Sequence, residues 1–172
     1  MQRRVRKASS ETDLNVVREL LIEYLLLPDA WAPRDRRPQQ LKDLPASMRR
    51  EVQELPGTAL LAESAPTDAA GIVFLSPFVN PDHAVASNPA SNKGRCEMKR
   101  LYVRPEARGN GLGRELAEAA IAAARSGGQR AILLDALPTR VHAIRLYESL
   151  GFRPVRPFRR YPIDMIFMSM EL

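Results

Sequence analysis

The sequence predicts a mixed α/β domain (α+β mixed): a central β-sheet of both parallel and antiparallel strand pairs, flanked by helices. Three observations carry that prediction. From Glu97 to Leu137 an apolar strand pattern, an alanine-rich helical pattern and a second apolar strand follow one another, a crossover unit that implies parallel pairing. Towards both ends of the chain, short β-rich runs separated by turns read as hairpins and imply antiparallel pairing. A length of 172 residues with 45% hydrophobic content suits one core, so residues 1–172 are expected to form a single domain without repeats or linkers.

Each element has its own signal. Val5–Ala8 reads as the first strand, and Ser10 with Asp13 three residues on is a capping-box pattern that opens a helix. Leu14, Val17, Leu21 and Tyr24 recur at helical spacing up to a stop at Pro28. After a loop rich in Pro and Arg, Leu41, Leu44, Met48, Val52 and Leu55 predict a second helix ended by Pro56-Gly57. Thr58–Ser64 and Gly71–Ser76 form a hairpin pattern, followed by a long polar loop over 77–94. Glu97–Val103 is the central strand. Leu112, Leu116, Ala119, Ala120 and Ala123 give the next helix a stripe of mainly small side chains suited to close packing on a sheet, and Gly127-Gly128 ends it. Ala131–Leu137 is an unbroken buried strand. A helix from about Thr139 to Leu150 stops at Gly151, and Phe152–Val155 and Asp164–Leu172 are two last strands able to form a terminal hairpin.

The segment Arg108-Gly-Asn-Gly-Leu-Gly-Arg114 joins the central strand to the alanine-rich helix, and it has the chemistry to hold a phosphate. Gly109, Gly111 and Gly113 let the backbone take positive φ and approach a ligand, while the N–H groups of the helix's first turn point outward. Arg108 and Arg114 add charge. Spacing separates the nucleotide-binding alternatives. A mononucleotide loop needs Lys and then Ser or Thr after its last Gly, where this chain has Arg114 and Glu115; a dinucleotide loop needs Gly where Arg114 stands.

Arg108-x-x-Gly111-x-Gly113 resembles the pyrophosphate-binding signature of the GCN5-related N-acetyltransferase (GNAT) family. Glu97–Val103 resembles the strand that precedes this loop in the family, and Ala143–Phe152 resembles its later helix with the Leu-Tyr-x-x-x-Gly-Phe ending. The resemblance implies a single-domain GNAT-like acyl-CoA N-acyltransferase fold over roughly the whole chain, with acetyl-CoA as cosubstrate and no metal. It implies that Arg108, Gly109, Asn110, Gly111, Leu112, Gly113 and Arg114 grip the pyrophosphate. It also implies that the sheet splays after the strand ending at Val103, where backbone amides around Leu101, Tyr102 and Val103 hold the pantetheine arm and the thioester carbonyl. An N–H aimed at that oxygen also stabilises the oxyanion of the transfer. One position departs from the family: many relatives have Asn seven residues before the helix tyrosine, and this chain has Arg140.

Transfer of an acetyl group to an amine needs a proton acceptor for the ammonium and a donor for the leaving thiolate. Tyr147 occupies the position of the family's helix tyrosine and is the expected acid, against the plainer role of a core aromatic. Glu97, at the start of the central strand, is the expected base, against the plainer role of an ion pair. His83, His142 and Cys96 are weaker alternatives; Cys96 has no evident base beside it in sequence. Trp31 with Arg34–Arg37, Phe78–His83 and Phe158–Tyr161 are the stretches expected to line the acceptor pocket.

Composition bounds the partners. The net charge of +6 and pI near 10.0 arise from basic residues interleaved with 20 acids, so no nucleic-acid partner is expected. A single cysteine precludes an intramolecular disulfide, and the absence of an apolar spanning run or secretory segment points to the cytoplasm with no membrane partner. The expected activity is acetyl transfer to a primary amine of a small molecule or amino acid. Protein N-termini or lysines, a non-catalytic acyl-CoA sensor, and a homodimer all stay open.

Overall fold

Ser10 is where the fold begins to follow from the sequence. Its hydroxyl accepts the Asp13 N–H at 3.1 Å and the Asp13 carboxylate accepts the Ser10 N–H at 3.2 Å, so the capping box forms and α1 runs Glu11–Leu25. Residues 4–27, 38–65, 68–79 and 93–172 are described by the computed structural model. Trp31, Arg34–Arg37 and His83 lie outside them, as does most of the long loop.

The strands are β1 (Arg4–Lys7), β2 (Thr58–Ala65), β3 (Asp68–Pro77), β4 (Arg95–Val103), β5 (Ala131–Ala136), β6 (Arg153–Pro154) and β7 (Ile166–Glu171). They order as β1-β2-β3-β4-β5-β7-β6 in one seven-stranded sheet. β4 and β5 pair in parallel, as the crossover required, whereas β1–β2, β5–β7 and β6–β7 are antiparallel. The helices after α1 are α2 (Ala46–Glu54), α3 (Leu112–Ser126) and α4 (Val141–Ser149). Among the described residues, no helix is long and apolar enough to cross a membrane.

The predicted second helix is shorter than its apolar spacing implies. Leu41–Asp43 makes a separate 3-10 turn, Leu44 is extended, and α2 starts only at Ala46. Pro45 is the cause, because its ring disfavours helical backbone at the residue before it. The apolar spacing still does its work: Leu44 and Val52 are buried on either side of the break.

Two compact units divide the chain. The first comprises Met1–Phe74 with Arg100–Ala119. Its core joins Val17, Leu20, Leu21 and Leu25 of α1 with Leu61 of β2 and Ile72 and Phe74 of β3. The second comprises Leu75–Lys99 with Ala120–Leu172, and holds an aromatic cluster of Phe78, Phe158 and Phe167 around Leu133. The end of α4 explains the Leu-Tyr-x-x-x-Gly-Phe pattern. Gly151 takes φ +102°, the Gly151 N–H donates to Glu148 O at 3.1 Å, and the Phe152 N–H donates to Tyr147 O at 3.0 Å. This is a complete Schellman cap, closed by an edge contact between the Tyr147 and Phe152 rings at 5.8 Å. The glycine thus frees the turn that locks the tyrosine in place.

Candidate active site

In the first unit, β4 ends at Val103 and a 3-10 turn, Pro105–Ala107, leads into the glycine loop. The Arg104 N–H donates to Ala70 O at 2.9 Å, and the Arg108 Nε–H donates back to Val103 O at 2.9 Å, which ties the start of the turn to β3 and its end to β4. Gly109 and Gly111 then take φ +81° and +84°. A Cβ at either position meets nothing within 4 Å, so both glycines border open space. Beyond them α3 is anchored by Leu112 and Leu116, both buried; the Arg114 and Glu115 N–H groups donate to Gly111 O at 2.9 and 3.1 Å, so the N–H groups at the open mouth of the helix are those of Leu112 and Gly113. Arg108 is exposed beside this turn, and Arg114 is near Glu118 at 3.6 Å. Open space, outward N–H groups and arginine charge fit a pyrophosphate. A cavity of about 160 Å³ adjoins the loop through Asn110 and Leu112, but Asp68 and Glu106 also line it and make it a poor home for an anion.

The strand before the loop is held tightly. A Cβ on Gly71 of β3 would come within 2.5 Å of Tyr102 O, so the glycine is required by close strand approach. Arg100 takes φ +57°, a left-handed kink in mid-strand that an arginine adopts only when its surroundings impose it. Its guanidinium makes two bonds to Glu51 at 2.7 and 2.8 Å and lies 5.7 Å from the Tyr24 ring centre. Two residues on, the Tyr102 hydroxyl donates to Glu23 at 3.1 Å; burial, with the Glu23 charge, pushes this phenol up to about 12. Leu101 and Val103 are half-buried on either side of it.

In the second unit the β4–β5 ladder has the pairs Arg95–Ala131, Cys96–Ile132 and Glu97–Leu133, and stops there although β5 continues to Ala136. Glu97 is 2% exposed. Arg159 donates to both of its oxygens, at 2.8 and 2.9 Å, and Lys99 lies 3.5 Å away. The same Arg159 reaches Asp135 at 3.4 Å, and the Tyr161 hydroxyl donates to Asp135 at 2.8 Å. Burial is the main cause raising the Asp135 carboxyl above its ordinary range, against the Tyr161 hydrogen bond that lowers it. Burial likewise pushes the Tyr161 phenol up to about 12.

Of the residues predicted from sequence, Gly109 and Gly111 form the positive-φ turn, whereas Gly113 lies in the first turn of α3 and does not take positive φ; Glu97 heads an ion-pair network, and Tyr147 is buried against Phe152 on α4. Cys96 is buried and its thiol is pushed up to about 11 by that burial, which suits an inert side chain. His142 is exposed on α4. Arg140 stands at the N-cap of α4 and its Nη2 is buried without a hydrogen-bond partner among the described residues, a donor that fits a ligand oxygen. Asp135 and its bonds to Arg159 and Tyr161 were not foreseen. The available signal was one acid in the otherwise apolar run Ala131–Leu137.

A family model described as the acetyltransferase (GNAT) family matches residues 22–152. The chain belongs to the acetyltransferase (GNAT) family. An uncharacterized N-acetyltransferase of Schizosaccharomyces pombe is 43% identical over 89 residues, 51% of this chain and 55% of that protein. An IAA acetyltransferase of Azospirillum brasilense is 38% identical over 78 residues, 45% of this chain and 51% of that protein. The chain thus spans about half the length of these GNAT relatives. A GNAT superfamily phosphinothricin acetyltransferase from Sinorhizobium meliloti, solved in complex with AcCoA, superposes with a TM-score of 0.69 at 20% identity, covering 100% of this chain and 89% of that one. At that identity the likeness bears on the fold.

Proposed function

We propose that this chain is an acetyl-CoA-dependent N-acetyltransferase that passes an acetyl group directly to a primary amine of a small molecule or amino acid, and that residues 1–172 work as a single domain. The observation that carries the reading is the turn at Gly109 and Gly111, with positive φ and open space where side chains would stand, ahead of α3 and beside Arg108. In this reading Arg108, Asn110, Leu112, Gly113 and Arg114 complete the pyrophosphate cradle, and the backbone of Leu101, Tyr102 and Val103 holds the pantetheine arm. The end of the β4–β5 ladder at Glu97 supports this, since a strand edge that stops pairing keeps amides for a ligand. The buried orphan donor of Arg140 serves an oxygen of the coenzyme in place of the usual Asn. Acetyl-CoA supplies the thioester; the protein's part is to hold it, exclude water and move protons.

Tyr147 is the proposed acid, its phenol hydroxyl donating to the leaving thiolate. The Schellman cap supports that role by fixing its ring. Glu97, the base expected from the sequence, is the proposed anion on the acceptor side; with both of its oxygens bonded by Arg159, it contributes its negative charge to the ammonium's surroundings.

Two measurements test the reading together: calorimetric titration with acetyl-CoA, and thiol release with a panel of amines. Wild type should bind and turn over, while Gly111→Glu, which puts a carboxylate into the cradle, should bind at least ~10-fold more weakly, a loss of about 1.4 kcal/mol. Equal binding by Gly111→Glu would overturn the cradle. Binding without thiol release from any amine would favour the acyl-CoA sensor.

A further inference from the structure

Asp135 is the one charged residue of β5, and an apolar strand has no need of it. Strand alternation sets it on the face that presents Leu133 and, across the ladder, Glu97. The aromatic cluster of Phe78, Phe158 and Phe167 packs on that face around Leu133. Asp135 stands two residues beyond Leu133, the last β5 residue that β4 pairs, at the carboxyl end of β5, and the carboxyl ends of parallel strands are where open α/β sheets bind ligands.

The hydrogen bonds around it have a direction. Tyr161 donates its hydroxyl proton to Asp135 Oδ2 at 2.8 Å, and the same hydroxyl accepts an N–H from Arg159 at 3.1 Å. One lone pair of the phenol is left, and Tyr161 is 39% exposed whereas Asp135 is half-buried. The phenol is therefore the accessible end of a pair whose inner end is a carboxylate. Glu97 is less accessible, with its side chain 3% exposed and both oxygens engaged by Arg159.

We propose that Tyr161 is a catalytic residue that takes a proton from the acceptor's ammonium group while passing its own hydroxyl proton to Asp135. The inference rests on the acetyl-transfer reading above. One N–H bond of the ammonium breaks and an O–H bond forms at Tyr161; the former Tyr161 O–H breaks and an O–H forms at Asp135 Oδ2. The freed amine lone pair then bonds the thioester carbonyl carbon as the C–S bond breaks. The second amine proton replaces the one Tyr147 gives the thiolate, and Asp135 returns its proton to water through Tyr161. Arg159 and Glu97 act as positioning residues, since Arg159 fixes the phenol oxygen and Glu97 fixes Arg159. The groups facing Asp135 are Arg159 and Tyr161 from the segment before β7, and Glu97 and Lys99 from β4. Burial and the Glu97 charge raise its proton affinity, while Tyr161, Arg159 and Lys99 lower it. The net rise narrows the gap to an amine, which is what a relay needs.

The test is the pH profile of kcat/KM for thiol release from acetyl-CoA with lysine, glutamate, putrescine, tyramine and an alanine-initiated tripeptide. Wild type, Asp135→Asn and Tyr161→Phe are compared, with acetyl-CoA binding by calorimetry and melting curves for all three. Each variant should bind acetyl-CoA within about twofold of wild type and lose ~10²-fold in kcat/KM at neutral pH, the range of a lost general base. The loss should shrink as pH approaches the acceptor's own pKa, where free amine needs no base. A uniform loss at every pH, or an acid limb unchanged in both variants, would overturn the relay and leave the acetyl-transfer reading standing. Wild type that binds acetyl-CoA but acetylates no amine would overturn both. If Asp135→Asn fails to fold, Tyr161→Phe decides alone.

Discussion

Gly71 shows how a residue on a neighbouring strand sets the geometry of β4, the strand proposed above to hold the coenzyme. A methyl group there would press within 2.5 Å of the Tyr102 carbonyl and 3.0 Å of Leu116, and the carbonyl belongs to backbone that cannot rotate away. Gly71→Ala should therefore destabilise the chain by about 1–3 kcal/mol, as overpacking does. It should appear as a lower urea midpoint at unchanged slope. Because the push falls on Tyr102, between Leu101 and Val103, acetyl-CoA affinity should fall with it; loss of stability with unaltered affinity would argue against a coenzyme role for that backbone. At this scale the sequence was legible where a residue type has few uses. Glycines at 109 and 111 announced a turn of positive φ because nothing else takes that backbone so readily. Asp135 was not legible, because an acid within an apolar strand declares neither its partners nor its burial, and both Arg159 and Tyr161 come from a distant stretch.

Among elements, the caps were the most readable and the breaks the least. Ser10 with Asp13 and the glycine after α4 act through bonds to residues three to five positions away, so local sequence contains both halves of each interaction. The split at Pro45 was hidden by an apolar period that continues across it, since core spacing can be met by a turn and a helix as well as by one helix. The α4 cap makes a specific prediction. Gly151 at φ +102° has Met170 Sδ 3.7 Å from where a Cβ would stand, so space is adequate and the cost of Gly151→Ala is conformational. It should be about 1–2 kcal/mol, seen as a lower melting temperature. The Tyr147–Phe152 contact depends on the same turn, so near-ultraviolet dichroism should change too. A variant with wild-type melting would mean the cap is not what holds Tyr147.

For the whole molecule the decisive quantity is charge, and its response to acid follows from how the carboxylates are used. The chain carries 26 Lys and Arg against 20 Asp and Glu, and among the described residues several buried or half-buried acids are held by arginines: Asp13 and Glu63 by Arg6, Glu51 by Arg100, Glu97 by Arg159. Arg6 makes two 2.7 Å bonds to Asp13 and, with the N–H groups of Ser9 and Ser10, holds that carboxyl well below the usual range. A carboxyl whose folded pKa lies below its unfolded value stabilises the fold above the unfolded pKa, about 3.9, and loses that contribution as pH falls toward the folded one. Asp135 runs the other way: raised in the fold, it favours the native state on acidification, but it is one group. Acid also drives the net charge from +6 toward that of all the basic residues, and self-repulsion adds to the loss. Stability from urea titrations should therefore stay nearly level from pH 7 to about pH 5 and fall steeply below about pH 4. Asp13→Asn should be less stable than wild type at pH 7, and its curve should be flatter through the acid range, the two converging at the lowest pH where both still fold. Parallel curves, offset by the same amount at every pH, would show that the Asn removes packing or capping alone and that the Arg6–Asp13 charge pair contributes nothing to acid sensitivity.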